Sequence, residues 1–441
     1  MVTAAAIYAG TNLPNPVMSN NPNGTGATFS NSGPIDTSSA FFQSLGSNGR
    51  SCASCHVTST GWTISPPEVQ RRFALTNGLD PIFRTNDGAN CPSADTSTVG
   101  ARRAAYSQLL DKGLIRVSIG VPASADFQVT DIQDPYNCPQ NTPGALALFR
   151  RPLPSTNLHF LTTVMWDGRE SFPGFTLVQD LSDQANGATL GHAQATVAPT
   201  PQQVEAIVNA EMSLFTAQTT DTGAGMLDKG GAQGGPANLS KEVANFFVGI
   251  NDPIPGGVPS ASFNPEVFTL YKSWATSTNP KKAAIARGEA LFNTFPIMIT
   301  DVAGLNDLPG LSVVNGSCTT CHNTPNVGNH SVPLAINIGV TDYPGRPGLD
   351  ISGLPVYTIQ CINGGEIKQT TDPGRALITG RCKDVGKTKG PILRGLASRA
   401  PYFHNGSART LNDLVDFYDA RFNMGLTSQQ KSDLVAFLQT L

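Results

Sequence analysis

The sequence predicts a mainly α fold with long loops. Several segments open on a helix N-cap and continue with apolar residues at helical spacing, and long runs of strand alternation are missing. Glycine and proline are plentiful, at 44 and 33 of 441 residues, which favours turns and irregular connections. A chain of this length suggests two or three domains of ordinary size.

The elements follow in order. The stretch from Thr200 to Gln218, "TPQQVEAIVNAEMSLFTAQ", starts with a capping threonine and a proline at the first helical position, and predicts a helix. Thr219 to Ser240 is glycine-rich and poor in apolar residues, so it predicts a surface loop or hinge. With no strand before it and no GK[ST] after it, it does not read as a phosphate cradle. A domain boundary is placed near Ser277, dividing residues 1–277 from 278–441. "NPKKAAIARGEALFNT" then opens a helix with Asn279 as N-cap and Pro280 behind it. Further helices are predicted from Thr410 and from Thr427, where Thr427 and Gln430 form a capping box.

Composition narrows the function. Net charge is −3, only 14% of residues are charged, and no basic cluster is present, which argues against a nucleic-acid partner. No stretch approaches the roughly 20 apolar residues of a membrane span. The opening "MVTAAAIYAG" lacks the basic region and apolar core of a signal peptide, and reads as a start from which any export signal has been removed. Of eight cysteines, Cys91, Cys138, Cys361 and Cys382 stand alone in polar, turn-rich stretches. That suits disulfides in an oxidising compartment, periplasmic or secreted. Sequence proximity favours Cys91–Cys138 and Cys361–Cys382 among the three possible pairings.

The other four cysteines form two identical arrangements, "CASCH" (Cys52, Cys55, His56) and "CTTCH" (Cys318, Cys321, His322). Cys-x-x-Cys-His supplies two thiols for thioether bonds to the haem vinyl groups and an imidazole for the iron. Zinc would require a second ligand pair close by, and a redox dithiol a βαβ setting; neither is present. Two covalent haem c groups are therefore predicted, with His56 and His322 as iron ligands.

Around these motifs lie "MWDGRESF", with Trp166 and Arg169, then "IARGEALF", then "APYFHNGSA", which begins at Ala400. In this order, from about Phe41 onward, the set resembles the bacterial di-haem cytochrome c peroxidase and MauG family. The resemblance implies two cytochrome c-like haem domains. The N-terminal haem would react with peroxide and the C-terminal haem would relay electrons, with Trp166 between them as a relay or as a core tryptophan. Arg169, Arg150 and Arg151 are candidate partners of haem propionates, or surface charges. At the family's spacing after Pro401, the sixth ligand of the C-terminal iron falls on Tyr418, with Met424 as the rival and core packing as the plain alternative for the tyrosine. Phenolate is a hard anionic donor that favours ferric and higher states. The family also holds one calcium ion between its domains. Pro401 matches a carbonyl position, Asn157 is a further candidate, and Arg399 stands where the family often has threonine.

The family's distal glutamate, in an "ENPxEM"-like run, has no counterpart here. The matching region, Leu177 to Val197, offers Gln179, Asp180, Asp183, Gln184, His192 and Gln194. His192, between Gly191 and Ala193, is selected as the distal acid/base because it titrates near neutral pH in a small-residue setting. His192 could instead be structural or ligate the iron, as could His159, and Glu205 or Glu211 could supply the carboxylate. The implied activity is reduction of hydrogen peroxide with electrons from a small redox protein, a cytochrome or cupredoxin. The alternatives are a MauG-like or rubber-oxygenase-like oxidation of a protein or organic substrate with peroxide or O₂, and a plain di-haem electron carrier.

Overall fold

A computed structural model describes residues 12–253 and 263–441 of the chain. Helices and strands share the architecture, which corrects the mainly α expectation: thirteen strands are present among the described residues. They escaped notice because most are short and several are covered on both faces. Leu214–Asp221, the longest, has six of its eight residues buried, so no polar alternation marks it. It also terminates the helix predicted across Thr200 to Gln218. That helix is Pro201–Met212, with Thr200 at its N-cap and Pro201 behind it as the sequence indicated, and with Gln203 completing a capping box.

Two other caps stand where the sequence put them. Asn279 accepts from the backbone N–H groups of Lys281 and Lys282 and starts the helix Pro280–Thr294. Thr427 and Gln430 form the capping box of Ser428–Leu438. These two helices cross at close range because residue 288 is glycine: a Cβ there would lie 2.0 Å from the Asp433 carbonyl oxygen. The glycine of "RGEALF" is thus a packing requirement. Leu411–Phe422 completes the helical group, and Ile285, Phe292, Leu411, Val415, Leu434 and Phe437 form the core beside the second CxxCH.

A second core packs Phe41, Phe42 and Trp62 against the helices Leu177–Gly191 and Pro201–Met212, beside the first CxxCH. Above it lies an antiparallel sheet of Val17–Asn21, Gly24–Ser30, Leu214–Asp221 and Gly225–Met226, in that order.

Elements from both sides of residue 277 are interleaved. Phe127–Gln133 pairs with Val356–Cys361, which pairs with Ile367–Thr370. Phe268, Tyr271 and Trp274 belong to the core of the C-terminal helices. Arg150 spans the halves, donating to Asp372 from Nε at 2.7 Å and Nη2 at 2.9 Å, and to Asp167 at 2.5 Å. The disulfides Cys91–Cys138 and Cys361–Cys382 are formed, with Cα separations of 5.4 and 5.6 Å, the pairing that proximity favoured.

Candidate functional site

Each CxxCH forms a short 3₁₀ turn. Ser51 precedes Cys52–Ser54 and Ser317 precedes Cys318–Thr320, each within a capping box. The turn brings the histidine back under the first cysteine: the backbone N–H of His56 donates to the Cys52 carbonyl at 2.9 Å, and that of His322 to the Cys318 carbonyl at 3.1 Å. The imidazoles are oriented alike. His56 Nδ1–H donates to the Trp62 carbonyl at 3.0 Å and His322 Nδ1–H to the Gly328 carbonyl at 2.6 Å. Each bond fixes the tautomer and leaves the Nε2 lone pair available to a metal. Burial keeps both rings neutral, with His322 pushed down to about 4 and His56 held below its ordinary value. Burial also pushes the thiols of Cys318 and Cys321 up to about 12 and raises those of Cys52 and Cys55. That is the reverse of what a thiolate zinc site or a reactive dithiol needs.

Each motif opens onto a cavity of about 190 Å³. Trp166, Lys389 and Pro391 line both, so the tryptophan of "MWDGR" stands in the wall between them. The Trp166 indole N–H donates to the Arg151 carbonyl at 2.8 Å, and its own carbonyl accepts from the Lys389 backbone N–H at 2.9 Å. His404 of "PYFHNG" lines the second cavity with its ring 6.0 Å from that of Trp166.

The first cavity carries titratable side chains. His192 caps the C-terminus of Leu177–Gly191. A loop just before the first CxxCH straps this helix end down: the Asn48 Nδ2 group donates to the His192 carbonyl at 2.8 Å. Gly46 passes so close that a Cβ would lie 1.9 Å from the Ala193 carbonyl oxygen. His192 lines the cavity, and its Nδ1–H donates to Asp87 at 2.5 Å. Asp87 is also paired with Arg50. Burial works against its charge, yet His192 and Arg50 hold the Asp87 carboxyl below its ordinary value. Glu211 is in the same wall. Burial pushes its carboxyl up to about 8, and Oε2 has no hydrogen-bond partner in the described structure.

The rivals separate by position. Gln184 lines the first cavity. His159 lies outside both cavities, stacked on Phe215 at 5.9 Å. Glu205 and Gln194 are exposed, and Asp180 is spent on the Phe172 backbone N–H at 3.0 Å. Tyr418 and Met424 both line the second cavity, among Ile297, Ile299, Val302 and Phe422. Burial, with the nearby Cys321 and Cys318, raises the Tyr418 hydroxyl above its ordinary value.

The donors and walls fit haem c. Two cations lining the first cavity, the buried Lys389 and the half-buried Arg399, have no ion pair with a carboxylate in the described structure, while Arg151 gives its guanidinium to main-chain carbonyls. Lys389 donates to the Thr163 carbonyl at 2.5 Å, and Arg399 Nε is without a partner. Haem propionates are the anions such a wall would take. Arg150 is consumed by Asp167 and Asp372, and Arg169 lines the cavity while bonding Asp167 at 3.1 Å. Arg50, Asp87, Lys389 and Arg399 were not singled out for this site from the sequence. Only Arg50, just ahead of the first motif, carried a local signal.

No family model matches the chain. A cytochrome-c peroxidase of Pseudomonas sp. (strain SCT) is 30% identical over 154 residues, covering 30% of this chain and 38% of the relative. A cytochrome c551 peroxidase of Nitrosomonas europaea is 31% identical over 140 residues, covering 31% of this chain and 34% of the relative. The chain thus spans little more than a third of the length of the curated relatives it matches. Among solved structures, a MauG-like protein associated with microbial copper homeostasis aligns over 98% of this chain and 93% of its own length, at 16% identity and a TM-score of 0.41. Over about a third of its length the chain is thus similar to curated cytochrome-c peroxidases.

Proposed function

We propose that the chain is a di-haem peroxidase that reduces hydrogen peroxide at the N-terminal site with electrons relayed through the C-terminal site. The observation that carries this reading is a pair of CxxCH cavities that share the Trp166 wall, the first of which is lined by His192 and by the Asp87 carboxylate it is hydrogen-bonded to. Bound through the cysteines, two haem c groups would supply the iron that reacts with peroxide and the electron store.

The chain's own residues would manage the protons. Asp87 accepts the Nδ1–H of His192 and leaves Nε2 free to take a proton from the near oxygen of hydrogen peroxide and return it to the far one. Glu211, protonated near neutral pH, is a second proton source in the same wall. Two electrons and two protons convert one peroxide to two waters, and Trp166 offers an aromatic step between the cavities. His56 and His322 would hold the irons, with Tyr418 or Met424 as the second ligand in the C-terminal cavity.

The electron donor would be a small redox protein. Two disulfides support a periplasmic or secreted setting. Among the described residues no helix is long and apolar enough to cross a membrane. Tyr418 favours a second reading, a MauG-like oxidation of a larger substrate, because a phenolate would stabilise an oxidised second site. A steady-state assay of the holoprotein with peroxide and a panel of reduced cytochromes, cupredoxins and dyes tests the proposal. Peroxide-dependent oxidation of a donor is the expected result. A protein that accepts electrons but does not react with peroxide would be an electron carrier.

A further inference from the structure

The calcium ion that the family resemblance implies does not fit the junction between the two halves. Asn157, one of its candidate ligands, is spent on Thr216: its Nδ2 donates to the Thr216 carbonyl at 2.9 Å and its Oδ1 accepts the Thr216 N–H at 2.8 Å. Near Pro401, the carbonyl of Arg399 accepts Arg151 Nη2 at 3.0 Å. The same guanidinium takes two more main-chain carbonyls, Ile64 at 2.7 Å from Nη2 and Lys112 at 2.8 Å from Nη1.

Three carbonyls from three separate segments therefore converge on one buried positive charge. One segment follows the first CxxCH, one ends the helix Ser107–Lys112, and one precedes "PYFHNG". Convergent carbonyls without a hydrogen-bond donor of their own are what a bound cation organises. Here the chain provides the cation. A second guanidinium, that of the half-buried Arg399, lies alongside and donates from Nη2 to the Ile392 carbonyl at 3.1 Å. Calcium binding would bring two more positive charges against both arginines. It also calls for six to eight oxygens, usually with carboxylates among them. Among the described residues no group of three or more His, Cys, Asp or Glu side chains is arranged to hold a metal ion.

We propose that the Arg151 guanidinium takes the place of calcium at this junction, so that the chain joins its halves without a metal ion. The backbone of Arg151 gives the substitution a consequence. Its N–H donates to the His404 carbonyl at 2.6 Å and its carbonyl accepts the Trp166 indole N–H. The residue that clamps the junction thus also positions the aromatic wall between the cavities. The cation at this junction is part of the chain and cannot dissociate from it.

The test is independent of peroxidase activity. Holoprotein purified without chelator is assayed for calcium by mass spectrometry, and its thermal unfolding is followed in calcium and in EGTA. The expected result is calcium well below one ion per chain and the same Tm in both. One calcium per chain, with Tm falling in EGTA, overturns the proposal. Arg151→Asn then frees the three carbonyls. Its Tm is expected to fall and to recover in part with calcium but not with magnesium, while Arg151→Lys stays insensitive to calcium. A folded Arg151→Asn protein that ignores calcium would mean that the guanidinium does not fill a cation site, and this too overturns the proposal. If that variant fails to fold, the calcium content and EGTA response of the parent decide alone.

Discussion

The two cavities share a motif, a capping pattern and a wall, and differ in the other side chains that line them. In the first, His192 bonded to Asp87, Arg50 and a protonated Glu211 bring proton donors and acceptors to a cavity that Leu158, Val164 and Ile207 also line. In the second, Ile297, Ile299 and Phe422 surround Tyr418 and Met424, two side chains able to ligate iron. The same attachment chemistry is thus repeated with opposite surroundings. In the proposed function the first cavity would move protons and the second, which His330 and His404 also line, would close a coordination sphere. The CxxCH turn sets where a haem is held; the opposite wall decides what it can do.

Four results would break or sharpen this contrast. The largest concerns occupancy. Cys52→Ser should weaken covalent attachment at the first site and leave the second intact, and Cys318→Ser should do the reverse. Intact mass and haem-stained gels read this directly, and a loss of both haems from one substitution would show that the sites do not load independently. Next is the shared wall. Trp166→Leu should slow donor-driven turnover about tenfold, roughly 1.4 kcal/mol in the barrier, while peroxide still reacts with the first haem in a single mixing experiment. An unchanged turnover rate would make Trp166 a packing residue.

The third result distinguishes the ligands of the second cavity. Tyr418→Phe should alter the absorption and electron-spin spectrum of the C-terminal haem alone, and Met424→Leu should leave it unchanged. The opposite pattern assigns Met424. The last result concerns acid stability at the base of the wall. Burial opposes the charge of Asp167, but Arg150 and Arg169 hold its carboxyl down to about 2, from 3.8. Because the folded value lies below the unfolded one, this contribution is present above about pH 4 and is lost as pH falls towards 2. It amounts to about 2 kcal/mol. Urea midpoints at pH 5 and pH 3 measure it, and Asp167→Asn should remove that part of the slope.

Much of the attachment chemistry was legible in the sequence because it is local. A CxxCH turn closes within five residues, and the caps at Thr200, Asn279 and Thr427 act within four. The opposing walls are not local. His192 meets Asp87 only because Gly46 and Asn48 tie the end of one helix to the loop ahead of the first motif. Lys389 reaches both cavities from a strand residue with no motif of its own to mark it. The strands were missed for a related reason: Leu214–Asp221 is covered on both faces and follows a helix without a break in apolar character. Arg399 was read as a departure from a family pattern. Its significance needed Arg151, remote in sequence and bonded to its carbonyl.

The central claim is that peroxide chemistry belongs to the first cavity and depends on His192. Stopped-flow mixing of the reduced holoprotein with peroxide, for the parent and for His192→Ala, tests it most directly. Haem oxidation in the variant should be slower by about 100-fold or more, with the resting spectrum unchanged and oxidation by a small chemical oxidant unaffected. Oxidation of His192→Ala by peroxide at the parent's rate would contradict the assignment, and a changed resting spectrum would make His192 an iron ligand instead.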